Sequence, residues 1–84
     1  MLLHINVASM KEAEHLSSIC KDYPNELALR ADRFCVDPKS TLGILAMMYS
    51  ARDNMYLDTG DIEDTALPEF LKAVDSYLVD DEQK

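Results

Sequence analysis

Apolar positions along the chain recur at every second residue, then at helical spacing, and the two patterns alternate to the end. Residues 2–7 (LLHINV) set Leu3, Ile5 and Val7 on one face and Leu2, His4 and Asn6 on the other, the period of a strand. Ser9 and Glu12 form an S-x-x-E capping box, in which the serine oxygen accepts an orphan amide and the glutamate reaches back. The helix it opens carries a stripe of Met10, Ala13, Leu16, Ile19 and Cys20, ending near Tyr23 and Pro24. Residues 26–32 alternate again with Leu27, Leu29 and Ala31 facing one way, and after Asp32-Arg33 the run 34–36 (FCV) returns as a strand.

Asp37-Pro38-Lys39-Ser40 is a helix start in which either Asp37 or Ser40 serves as the cap. The short apolar segment TLGILAMMYSAR follows, Asp53-Asn54 turns the chain, and MYLD is a further strand closed by Gly60-Asp61. Leu67, Phe70, Leu71, Val74, Tyr77 and Leu78 then fall on one helical face, with Asp64 or Thr65 as cap and Pro68 harmless in the first turn. Residues 79–84 are expected to fray. The order βαββαβα, with one apolar stripe per helix, predicts an α+β open-faced sandwich. Three helices cover one face of a single antiparallel four-stranded sheet, and the other face meets solvent.

Composition narrows the function classes. Eighty-four residues, 48% of them apolar, suit one domain spanning 1–84. Sixteen acidic against eight basic residues give a net charge of −8, which opposes nucleic acid and anionic lipid and favours a protein partner with basic or apolar surface. The N-terminus lacks a basic region ahead of an apolar run and is not read as a signal peptide, so the cytoplasm is the expected compartment. Cys20 and Cys35, far apart and outside any CxxC pair, are expected as reduced packing residues. No phosphate-binding glycine loop or metal-ligand spacing is present in the sequence, and no cofactor is expected.

One local motif carries a resemblance. Val36-Asp37-Pro38-Lys39-Ser40-Thr41-Leu42-Gly43-Ile44-Leu45, set within the βαββαβα order, resembles the serine site of the HPr phosphocarriers of the bacterial sugar phosphotransferase system. Lys39, Ser40 and Gly43 match directly, Leu42, Ile44 and Leu45 match in kind, and the likeness extends from about residue 24 onward. It implies an HPr-like open-faced sandwich, and a serine that in some family members is phosphorylated by a dedicated kinase. It also implies a short helix that offers apolar side chains to partners.

The departure from the family is at its phosphoacceptor. HPr proteins carry Gly-Leu-His-x-Arg-Pro where the first helix begins; here the first strand runs straight into Ala8-Ser9-Met10-Lys11-Glu12, so Ser9 stands near the histidine's place and Lys11 near the arginine's. The expected function is therefore that of a non-catalytic, regulatory or protein-binding relative, with Ser40 as candidate phosphorylation site and Arg33 and Lys39 as groups able to hold a phosphate. Asp37 would repel one. Leu42, Gly43, Leu45 and Met48 are the candidate partner contacts, while Ile44 and Met47 are expected in the core.

Each of these residues also has a simpler role. Ser40 can act as a cap alone, and His4 is a lone histidine on an open strand face. His15, inside a helix, lacks the free amides that a phosphohistidine needs, although a phosphocarrier acting through His15 is the alternative reading. A structural or assembly module is a third. Asp58, Asp61, Glu63 and Asp64 crowd the turn at Gly60 without the regular calcium-loop spacing, and are expected as a solvated acidic corner.

Overall fold

A computed structural model describes residues 1–51 and 54–79. The elements are β1 (Leu2–Ile5), α1 (Met10–Lys21), β2 (Ala28–Ala31), β3 (Phe34–Val36), α2 (Thr41–Ala51), β4 (Met55–Asp58) and α3 (Leu67–Ala73), followed by a 3-10 turn over Asp75–Tyr77. The four strands form one antiparallel sheet in the order β1-β4-β2-β3 with the helices on one face, the α+β open-faced sandwich that the periodicities predict. Leu3 pairs with Leu57, Leu57 with Leu29 and Leu29 with Val36, so one apolar row crosses the sheet on its helix-covered side. Beneath the helices lie Ile5, Val7, Leu29, Met55 and Leu57 from the strand side, with Ala13, Leu16, Cys20, Ile44, Met47, Phe70 and Val74 above them.

The opposite face carries the next row: His4 beside Tyr56, Tyr56 beside Arg30, Arg30 beside Cys35. His4 stacks on Tyr56 with ring centroids 4.7 Å apart, so it is not a lone side chain. Arg30 Nε donates to Asp58 at 3.0 Å across the same face.

Local chemistry sets the element ends. The Ser9 hydroxyl accepts from the Glu12 amide, and the Glu12 carboxylate reaches back to the Ala8 amide, one residue before the cap. Asp32, at the β2–β3 corner, has a φ of 56°, a left-handed value that a short acidic side chain tolerates.

Four expectations need correcting here. Met10 is 59% exposed and leaves the α1 stripe, where Ser17 is buried instead. Met10 is the first residue of the helix, and the buried positions begin only at Ala13. α3 is shorter than its pattern: after Ala73 the chain tightens into the 3-10 turn, Tyr77 stays in the core, and Leu78 swings out to bridge Ile5 at the outer edge of β1. Neither Asp64 nor Thr65 caps α3; its cap is Ala66 with no side-chain bond, and the Glu63 carbonyl takes the Ala66 and Leu67 amides. Val79 is tied down, its amide donating to the His4 carbonyl at 2.8 Å. Asp53 and residues 80–84, where a turn and a frayed tail were expected, lie outside the described residues.

Candidate functional site: the serine cap and the face of α2

Asp37 and Ser40 both act at the start of α2, one turn apart. The Asp37 carboxylate accepts from the Lys39 amide at 2.9 Å, and its carbonyl accepts from the Ser40 amide at 3.0 Å, closing a turn around the buried Pro38. Ser40 is the helix cap: its hydroxyl accepts from the Gly43 amide at 3.3 Å and its carbonyl from the Ile44 amide. The side chain is exposed, so the hydroxyl combines solvent access with a helix start.

Of the two groups expected to hold a phosphate there, Lys39 is engaged elsewhere. Lys39 turns away from Ser40, and its ammonium donates to the carbonyls of Tyr23 at 2.6 Å and Asn25 at 3.0 Å, while its own carbonyl accepts from the buried Ser17 hydroxyl at 2.9 Å. Lys39 therefore ties the α1–β2 connection to the start of α2. Arg33 stands in the turn before β3, separated from Ser40 by the whole of that strand and the Asp37 turn. Three steps at about 3.3 Å each carry the backbone about 10 Å from Arg33 to the far end of that strand, before the Asp37 turn is reached. A phosphoryl group on Ser40 would meet the helix amides and dipole without help from Lys39, with Asp37 opposing it.

Along α2 the exposed apolar residues form one stripe. Leu42 is 77% exposed and Tyr49 82% exposed; Leu45 and Ala46 lie between them at helical spacing, half-buried and exposed respectively. Ile44 and Met47 face the core as expected, and Met48 joins them at 6% exposure, so it is a packing residue and not a partner contact. Gly43 is also turned inward. A Cβ there would lie 3.1 Å from the Asp37 carbonyl oxygen and 3.4 Å from Val36 Cβ, so the glycine serves the close approach of α2 to its own leader. Tyr49 was missed because a tyrosine in an apolar run reads as core, and in a helix apolar on every side the sequence does not mark which side meets the sheet.

His15 is exposed, six residues into α1, where the surrounding amides are committed to the helix. Its Nδ1 hydrogen-bonds the Tyr77 hydroxyl, pinning α1 to the 3-10 turn, and burial followed by the nearby Glu12 pushes the Tyr77 phenol up so that it keeps its proton.

The two cysteines differ. Cys20 is buried, and burial pushes its thiol up to about 12, leaving it protonated and inert. Cys35 is exposed on the open face of β3 and is not the packing residue expected, because strand alternation places it opposite Arg30.

At the acidic corner, Asp58 accepts from the Gly60 amide at 2.9 Å and from Arg30 at 3.0 Å. Among the described residues no group of three His, Cys, Asp or Glu side chains is placed to hold a metal ion. The Gly60 amide first, and the Arg30 guanidinium next, hold the Asp58 carboxyl below the usual carboxylate range. A depressed carboxylate contributes stability that is present above its unfolded pKa and lost as pH falls through the folded one. Urea titrations across an acid pH series are therefore expected to show stability falling below the normal aspartate range, and falling less steeply in Asp58→Asn. Equal slopes for the two proteins would remove Asp58 from the acid response.

Taken together, the geometry defines a small α+β sandwich whose candidate site is a capped helix start followed by an exposed apolar stripe. Among the described residues no helix is long and apolar enough to cross a membrane. Comparison with protein-family models, with curated proteins and with solved structures finds no match to the chain.

Proposed function

We propose that the chain is a non-catalytic, HPr-like binding protein that docks a protein partner through the outer face of α2 and is regulated at Ser40. The observation that carries this reading is the stripe Leu42, Leu45, Ala46 and Tyr49, which begins within a turn of the exposed Ser40 hydroxyl. Large apolar side chains so exposed, side by side on an already ordered helix, can be covered without the cost of ordering a backbone. A dianion on Ser40 would sit at the N-terminal end of the helix that carries the stripe and change the charge of that end without requiring the fold to move. With the net charge of −8, the reading favours a partner that presents apolar surface rimmed by basic groups.

The test is intact mass after incubation with phosphoenolpyruvate plus enzyme I and, separately, with ATP plus HPr kinase. One phosphate is expected from the kinase alone, absent in Ser40→Ala. Transfer from enzyme I would overturn the reading and direct attention to His15. In capture experiments Leu42→Asp is expected to abolish binding of the partner while far-UV circular dichroism stays unchanged, since Leu42 contributes little to the core. Capture that survives both Leu42→Asp and Ser40→Asp would remove α2 as the docking element.

A further inference from the structure

The outer strand β3 carries a second surface, independent of the α2 face, in its backbone. The sheet order leaves β3 at an edge, and it pairs with β2 through Leu29–Val36, Arg30–Cys35 and Ala31–Phe34 around the two-residue Asp32-Arg33 turn. A turn of that length requires the pair flanking it to be the hydrogen-bonded one, so Ala31–Phe34 and Leu29–Val36 exchange their bonds. Cys35 lies between them and turns its N–H and C=O away from β2, at the free edge. The side chains beside it are uncovered: Phe34 is 54% exposed and Cys35 is exposed.

We infer that β3 is the seam of a two-fold homodimer, in which β3 of a second copy pairs antiparallel with it about a dyad at Cys35. The sequence around Cys35 is self-complementary in that register. Phe34 meets Val36 of the second copy, and Val36 meets its Phe34, giving two aromatic–β-branched pairs on the helix-covered side. One step further, Arg33 meets Asp37 of the second copy and Asp37 meets its Arg33, two opposite-charge pairs related by the dyad. A parallel arrangement would set Arg33 against Arg33 and Asp37 against Asp37, so charge selects the antiparallel one. Cys35 exchanges both outward backbone bonds with its own counterpart. The result is one continuous sheet, β1-β4-β2-β3 joined to β3-β2-β4-β1. Because β3 has only three residues, the association is weak and dependent on concentration.

Sedimentation equilibrium over a wide concentration range tests this on the full chain. Wild-type mass is expected to climb from monomer toward dimer, and a short bis-maleimide to link two copies through Cys35, with Cys20 too buried to react. Cys35→Ala is expected to dimerise like wild type, because the thiol itself is not needed. Cys35→Pro removes the outward N–H without taking a bond from β2, and is expected to stay monomeric with an unchanged circular dichroism spectrum. Asp37→Asn keeps the turn acceptor at the start of α2 but removes the charge, and is expected to weaken the dimer roughly two- to thirty-fold, two cross-strand charge pairs being lost. A wild-type protein monomeric at every concentration would overturn the inference. So would a folded Cys35→Pro that dimerises normally; if that variant does not fold, an unchanged dissociation constant for Asp37→Asn overturns it instead.

Discussion

Phe70→Ala is expected to cost about 3–5 kcal/mol of folding stability, the range for truncating a buried phenylalanine. Phe70 is fully buried on α3 and meets Tyr23 edge-on, with centroids 5.0 Å apart and planes at 85°. Tyr23 in turn lies at the end of α1, where its carbonyl accepts the Lys39 ammonium. Emptying this position thus leaves a void where α3 and the connection after α1 meet. For a chain of this size such a loss takes up much of the usual stability of a domain. Urea denaturation reads it directly, and Phe70→Leu is expected to recover part of it. A change below ~1 kcal/mol for Phe70→Ala would mean that α3 is not an integral part of the core.

Gly60→Ala is the second large effect, and its origin lies in the backbone. Gly60 has a φ of 61°, and a Cβ built there would stand 2.4 Å from the Glu26 carbonyl oxygen. The left-handed conformation alone costs an alanine about 1–3 kcal/mol where the surroundings enforce it. The close approach adds to this, because the obstacle is another backbone and not the end of a flexible side chain. The neighbouring bonds prevent an easy retreat: the Gly60 amide is held by Asp58, the Thr59 amide donates to the Met1 carbonyl, and Asn25 Nδ2 donates to the Thr59 carbonyl at 3.0 Å. Thermal melts of Gly60→Ala and Glu26→Ala check the assignment. Only the first is expected to fall markedly, since Glu26 contributes its carbonyl here and any residue supplies one.

How much of the site was legible follows from the range of each interaction. That a cap stands at Asp37 or Ser40 was available from the sequence, since caps act over three residues; that Ser40 takes the Gly43 amide while Asp37 closes the preceding turn was not. The exposure of Leu42 could be anticipated from the shortness of α2, which cannot bury all its sides. The burial of Met48 and the exposure of Tyr49 could not, because in a helix apolar all round the sequence does not mark which side meets the sheet. Lys39 shows the same limit for charge. Next to Ser40 in sequence, it is committed to carbonyls sixteen and fourteen residues away, and only the packing of α1 against α2 reveals that.

By itself, the sequence determined the order of strands and helices and the main inward rows of β1, β2, β4 and α1, because alternation and helical spacing are local consequences of side-chain direction. It determined the fold class too, since helices alternating in this order with strands of one apolar face close in few ways. Only the tertiary structure decided that Leu78 leaves the last helix to bridge β1, that His15 is held by Tyr77, and that β3 lies at the edge with Cys35 facing outward. Each depends on contacts between residues far apart in the chain. Strand order, the target of a hydrogen bond and the free side of an edge are set by which elements meet, and no local period encodes that.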